Sequence, residues 1–309
     1  MLVVLALGGN ALLRRGEPLE LDVQRKNLEA AVAKGLAPIA RKHQVVITHG
    51  NGPQVGLLAL QTAAYKGVHT YPLDVLGAES EGMIGYLIAQ AFANEVPGLE
   101  IATLLTQVEV DAADPAFATP TKPIGPVYDD AEARQLAARK AWTFVPDGRG
   151  FRRAVPSPIP RRIVEINAIK LLVRAGMAVI CAGGGGIPVV PSQDSRLRGV
   201  EAVIDKDHTS ALLAEVLGAD ALLLLTDVPA VWTEWPMSKG RPIGHTSPDA
   251  LSAQTFDSGS MGPKVQAACR FVNRTGRMAA IGSIEEAEAI LEGLAGTVIN
   301  GTKPIRISS

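Results

Sequence analysis

Six short apolar segments, residues 2–7, 45–48, 101–105, 178–181, 221–226 and 279–281, alternate with stretches in which apolar positions recur at helical spacing. The helical stretches are clearest at 23–42, 81–95, 163–175, 209–217 and 284–294. Strands that are apolar throughout, rather than at every second position, are covered on both faces, and their alternation with helices points to a mainly parallel sheet. The pattern therefore predicts an α/β fold, a three-layer αβα sandwich.

Residues 111–160 break the rhythm. Pro115, Pro120, Pro123, Pro126, Pro146, Pro156, Pro158 and Pro160 surround a single helical patch at Asp130–Lys140. Proline lacks the N–H that a central strand or helix interior requires, so this stretch reads as an excursion from the main body, lid-like in position. A second loop-rich stretch, 232–248, reads as a connection at the sheet edge. The expected organisation is an N-terminal lobe, 1–190, carrying the protruding subdomain at about 111–160, and a C-terminal lobe, 191–309.

The 309 residues, 47% of them hydrophobic, suffice for one large domain or two lobes. With 30 Lys+Arg against 31 Asp+Glu there is no basic excess to bind nucleic acid. No stretch approaches the ~20 apolar residues of a membrane-spanning helix, and Met1 to Leu7 lacks the basic flank of a secretion signal. Cys181 and Cys269 form neither a disulfide framework nor a metal-ligand spacing, which fits a reducing cytoplasm.

Three glycine clusters directly follow apolar strands: Gly8-Gly9-Asn10, Gly50-Asn51-Gly52 and Gly183-Gly184-Gly185-Gly186. At the carboxyl ends of parallel strands such turns let backbone N–H groups approach an anion, although any one of them also serves as a plain tight turn. Together they are expected to line one crevice. There is no G-x-x-x-x-G-K-[ST], which excludes a P-loop enzyme, and residues 50–56 miss G-x-G-x-x-G by one position, which disfavours a dinucleotide fold. Protein-kinase, zinc-protease and serine-hydrolase signatures are also missing.

Three lysines stand in unusual settings: Lys122 between prolines, Lys206 between Asp205 and Asp207, and Lys264 after Gly259-Ser260-Met261-Gly262-Pro263. Phosphoryl transfer requires chiefly positioning and positive charge, which ammonium groups on pinned loops supply. Asp205 precedes a helix and either orients two lysines or simply caps that helix. Asp227 ends a strongly apolar strand, where ligands bind in open α/β sheets, or is a turn residue before Pro229. His49 precedes a glycine cluster but has no triad or metal partner in the sequence.

Taken together these segments resemble the carbamate kinases, within the larger amino-acid kinase fold. The resemblance runs over nearly the whole chain. It is carried by Ala6-Leu7-Gly8-Gly9-Asn10, His49-Gly50-Asn51-Gly52-Pro53-Gln54-Val55-Gly56, Thr121-Lys122-Pro123-Ile124-Gly125, Val155-Pro156-Ser157-Pro158, Cys181-Ala182-Gly183-Gly184-Gly185-Gly186, Val203-Ile204-Asp205-Lys206-Asp207 and Gly259-Ser260-Met261-Gly262-Pro263-Lys264. One departure is Phe151 and Arg153, where Trp and Lys are expected. The resemblance implies reversible phosphoryl transfer between ATP and carbamate, giving ADP and carbamoyl phosphate, with Mg2+ on the nucleotide, in a homodimer that forms ATP during arginine breakdown.

By the same resemblance Gly8, Gly9, Asn10, Gly50, Asn51 and Gly52 surround the carbamate and the moving phosphoryl, and Gly183, Gly184 and Gly185 complete that side. Lys122 comes from the protruding subdomain, Asp205 holds the lysines, and Lys206 and Lys264 neutralise phosphate. Thr226, Asp227, Val231, Met261 and Pro263 lie near the nucleotide. A kinase of another small acid or of a nucleotide, and a non-catalytic ligand-binding member of the fold, are the alternatives.

Overall fold

The computed structural model describes the chain except residues 15, 66–69, 193, 235–238, 257–260, 302–305 and 308–309. Its central sheet has ten strands among the described residues. Across the sheet the order is Val231–Trp232, Pro242–Thr246, Thr297–Ile299, Met278–Ser283, Ala221–Thr226, Leu2–Leu7, Gln44–His49, Ala178–Ile180 and Ile101–Thr103, with Arg306–Ile307 also pairing with Pro242–Thr246. The five strands from Met278–Ser283 to Ala178–Ile180 run parallel, and antiparallel pairing is confined to one side.

Why the strands are apolar throughout is visible in the core. Along Leu2–Leu7, Val4 and Ala6 pack into one buried cluster with Leu213 and Phe271, while Val3, Leu5 and Leu7 pack into another with Leu28, Ile84 and Phe92. Successive side chains on a strand point to opposite faces, so two covering helical layers demand apolar residues at every position. The first layer contains Lys206–Leu217 and Met261–Thr275, the second Leu21–Ala31 and Leu73–Glu95.

Several boundaries differ from the expected ones. The helix expected at 23–42 is Leu21–Ala31, a π-helical turn at Val32–Leu36 and a short Ala37–Ala40 helix. Pro38 cannot donate into the ladder, and Gly35 lies so close to the Ile284 carbonyl that a side chain there would collide with it. The helix expected at 163–175 begins only at Ile166, because Ile163 ends the strand Pro160–Ile163 and Glu165 turns back to accept hydrogen bonds from Gln107 N and Nε2 at 2.7 and 2.9 Å. Of residues 232–248, Trp232 lies in the edge strand and Pro242–Thr246 forms a strand of its own beside it, while 235–238 lie outside the described residues.

The proline-rich excursion contains a three-stranded antiparallel sheet, with Gly150–Val155 between Lys122–Tyr128 and Thr143–Asp147, and the Asp130–Lys140 helix capped by Asp129. Pro123, Pro126 and Pro146 all sit in its two outer strands, where a missing N–H costs least. This subsheet packs on the Gly52–Ala64 helix through Val55, Ile124 and Val155, with the backbones of Gly56 and Gly125 in direct contact. The Arg153 guanidinium stacks on Trp142, 4.1 Å from the ring centroid, and its Nη2 lies 3.9 Å from Glu201 of the main body. Phe151 keeps an aromatic residue in the central strand, so the departure at 151 and 153 leaves the subsheet intact.

Candidate active site

The three glycine turns meet. Gly8 N donates to Leu225 O at 2.8 Å and Gly50 N to Leu7 O at 3.1 Å, so the first two turns leave the sheet side by side. A side chain at Gly50 would come within 3.3 Å of Gly9 N and 3.6 Å of Lys206 Cδ. Gly184, in the left-handed region at φ 67°, lies against the Asn51 amide, and a Cβ there would fall 2.5 Å from Asn51 Oδ1. The crevice expected from the sequence is thus assembled from all three clusters. Asn10 lies in the turn Gly9–Ala11, but its side chain is not among the described residues.

The Asn51 amide is not a helix cap. It donates to Ser80 Oγ at 2.8 Å, leaving the first N–H groups of the Gly52–Ala64 helix free of any side-chain cap from Asn51. Uncapped N–H groups at a helix start are donors of the kind an anion can accept from.

The lysines are held by two carboxylates, divided differently from the expected arrangement. Asp205 pairs with Lys122, while its other oxygen caps the Lys206–Leu217 helix by accepting from Asp207 N at 2.9 Å. Asp207 is the residue that binds both Lys206 and, at 3.1 Å, Lys264. Direct contact with Lys206 is thus made by Asp207 and not by Asp205: Asp205 begins the helix, so its carboxylate turns back over the first turn, whereas Asp207 reaches Lys264 of the Met261–Thr275 helix. Capping and lysine binding at Asp205 are not alternatives, since one oxygen does each.

Burial works against charge in this group, and the partners decide the outcome. Asp207 is disfavoured as an anion by burial, but Lys206 and Lys264 outweigh that and hold its carboxyl well below the usual range. Asp205 behaves likewise through Lys122. Lys206 is pulled below an ordinary lysine by burial, opposed by Asp207 and reinforced by Lys264. Lys264 is also penalised by burial, yet Asp207, Asp205 and Asp227 together raise it.

On the proposed nucleotide side, Thr226 ends its strand beside Gly8, and its hydroxyl donates to Asp227 at 3.1 Å. Met261, Pro263 and Lys264 form the first turn of Met261–Thr275, while Gly259 and Ser260 lie outside the described residues. The Val231 side chain is buried in the core, and its N–H donates to Thr297 Oγ1 at 2.8 Å.

Behind the glycine turns lies a buried layer that sequence reasoning missed. Glu81 is 1% exposed and accepts from Gly183 N at 2.7 Å and from Thr106 N at 3.2 Å. Burial raises its carboxyl to about 8 despite those donors. The available signal was a carboxylate on the same helical face as Ile84, Gly85 and Ile88, where a charge has no ordinary reason to be. His49 packs beside it against Gly183, with Nδ1 3.2 Å from Gly50 O and Nε2 without a hydrogen-bond partner among the described residues.

Burial lowers His49 to about 4, helped by Lys206, so it is neutral at working pH and supplies no charge to the site. The unfolded chain takes up its proton near 6.5 and the folded one only near 4, so this residue makes stability fall as pH drops through that interval. His49→Gln should flatten that acid limb of a denaturation series, by on the order of 3 kcal/mol. The same variant should lose less than the ~10² of kcat expected for a general base; a larger loss in folded protein would give His49 a chemical role.

Residues 1–283 match the model of the amino acid kinase family. Carbamate kinase from Rhizobium meliloti is 55% identical over 305 residues, covering 98% of this chain and 94% of that protein. Carbamate kinase from Haemophilus influenzae is 56% identical over 300 residues, 97% of this chain and 96% of its own. Among solved structures, carbamate kinase from Giardia lamblia bound to AMP-PNP superposes with a TM-score of 0.87 at 42% identity, covering 97% of this chain and 98% of the other. Lysines 122, 206 and 264 gathered around three glycine turns, together with such similarity along the full length, place this chain in the carbamate kinases, within the amino acid kinase family.

Proposed function

We propose that this chain transfers a phosphoryl group reversibly between ATP and carbamate, ADP and carbamoyl phosphate being the other pair. The observation that carries the reading is the convergence of Lys122, Lys206 and Lys264 from three separate elements, held by Asp205 and Asp207, on the mouth of the glycine turns. Likeness to the Giardia lamblia enzyme that binds AMP-PNP supports the nucleotide.

An anionic carbamate oxygen attacks the terminal phosphorus, so no side chain has to remove a proton, and the bond to the ADP oxygen breaks. The Gly8–Gly9 and Gly50–Gly52 backbones hold the carbamate and the moving group, with Lys122 at the acceptor end. Lys206 and Lys264 leave part of their bonding to Asp207 and meet the charge that spreads over the equatorial oxygens. Residues 1–190, with the lid-like 111–160, form the acceptor side; residues 191–309, with Thr226, Asp227, Met261 and Pro263, form the nucleotide side.

Mg2+ would neutralise the nucleotide phosphates and would be held mainly by them. Asp205 and Asp207 are both committed to ammonium groups, and among the described residues no group of three His, Cys, Asp or Glu side chains is placed to hold a metal. A homodimer is supported by the exposed side chains of Val75, Met83 and Tyr86 on Leu73–Glu95, a face that also carries Glu79. No described helix is long and apolar enough to cross a membrane. Two buried free thiols, Cys181 and Cys269, support a cytoplasmic location.

The test is ATP formation from ADP with carbamoyl phosphate or acetyl phosphate as donor. Faster turnover with carbamoyl phosphate is expected. Preference for acetyl phosphate would assign another acyl acceptor, and absence of turnover with either would leave a ligand-binding protein.

A further inference from the structure

We propose that two consecutive buried residues of the Leu73–Glu95 helix, Ser80 and Glu81, are positioning residues that fix the acceptor half of the site by tying the Asn51 turn to the Gly183–Gly186 turn. The inference rests on the carbamate-kinase reading above, because it concerns the side of the site assigned there to the acceptor.

Each link is a hydrogen bond to a part of the site rather than to the helix's own surroundings. Ser80 is fully buried; its hydroxyl donates to Gly77 O at 2.8 Å, which leaves the oxygen free to accept the Asn51 amide at 2.8 Å. Glu81, one residue on, holds Gly183 N with one oxygen and Thr106 N with the other. Thr106 adds a further tie, its hydroxyl accepting from Ala182 N at 2.9 Å. Asn51 and Gly184 then touch each other, which closes a ring: Ser80 to Asn51 to Gly184, back through Gly183 to Glu81.

The ring holds strained backbone in place. Ala182 has φ 51°, and Gly184, Gly185 and Gly186 have φ 67°, 96° and 88°. Four of the five residues 182–186 thus have positive φ, Gly183 being the exception; glycine adopts such angles freely, but Ala182 does not, and a non-glycine residue stays there only when its surroundings over-determine it. A carboxyl group suits the task better than an amide because each of its oxygens keeps a lone pair to accept with, even when one is protonated, and both targets here are N–H donors. An apolar residue in its place would leave Gly183 N and Thr106 N buried without partners.

The distinguishing feature of a positioning role is selectivity between substrates. Ser80→Ala, Glu81→Gln and the double variant are to be assayed in the direction of ATP formation, varying ADP and carbamoyl phosphate separately. Glu81→Gln keeps one acceptor and turns an NH2 toward the second N–H. For each single variant kcat/KM for carbamoyl phosphate should fall about 10-fold, as for one buried polar group left unpaired. KM for ADP should stay within about twofold, and the double variant should lose less than the product of the two, because both residues act on one ring.

Equal loss toward both substrates, or no loss, would overturn the proposal and leave Ser80 and Glu81 as packing residues. Ser80→Ala removes only one hydroxyl, so it decides the matter should Glu81→Gln fold poorly. Failure of the wild-type chain to make ATP from carbamoyl phosphate would overturn the functional reading itself, whereas active wild type with no split in the variants overturns only the positioning role.

Discussion

Lys206→Met should lower kcat by about 10²- to 10³-fold, the usual cost of removing one transition-state stabiliser. Lys206 is 9% exposed, its stem lies against Gly50, and its ammonium is held by Asp207 beside the glycine turns. Lys206→Arg should lose nearly as much: it keeps the charge, but a wide planar fork does not fit where a compact ammonium is enclosed by Asp207 and the Gly50 turn. The same geometry fixes which carboxylate shares the defect. Asp207→Asn removes the common partner of Lys206 and Lys264, and combined with Lys206→Met it should cost much less than the sum of the separate free-energy losses. Asp205→Asn should instead be coupled to Lys122. Steady-state kcat values of the single and double variants measure this, and near-wild-type turnover by Lys206→Met, or stronger coupling of Lys206 to Asp205 than to Asp207, would show that the reacting arrangement differs from this one.

Gly56→Ala is expected to disable the enzyme from outside the lysine cluster. A methyl group at Gly56 would overlap the Gly125 backbone, and a main chain cannot swing aside as a side chain can. Gly125 has φ 75° and lies three residues from Lys122 in the same strand, so the strand and Lys122 must move away from Asp205 together. Overpacking of this kind costs about 1–3 kcal/mol of stability. The expected result is at least about a 10-fold loss of kcat, with ADP affinity nearly unchanged and faster amide exchange across Lys122–Tyr128 and Gly150–Val155. Unaltered exchange and turnover would mean that the seat of the excursion on the Gly52–Ala64 helix does not control Lys122.

Much of this architecture was legible because strand burial on two faces leaves an unambiguous trace. Leu2–Leu7 and Ala221–Thr226 begin and end where their apolar runs do. Asp130–Lys140 was equally plain, being a helical pattern set among prolines. The three lysines and the glycine turns stood out by their neighbours in sequence. What could not be read was which distant groups meet. Asp205 and Asp207 are equivalent flanks of Lys206 in one dimension, and only the direction of the first helical turn assigns Lys122 to one and Lys264 to the other. Glu81 was hidden for a related reason: its partners, Gly183 N and Thr106 N, are backbone groups with no side-chain signature.

The prolines of the outer strands have a consequence for how the molecule behaves among its own copies. A three-stranded sheet standing out from the body presents two open edges, and open edges are templates on which another chain can add a strand. Pro123 and Pro126 on one edge, and Pro146 on the other, each replace a donor that such a strand would need. Beyond its seat on the Gly52–Ala64 helix the subsheet can therefore extend from the body with little means of recruiting a strand from a neighbouring copy.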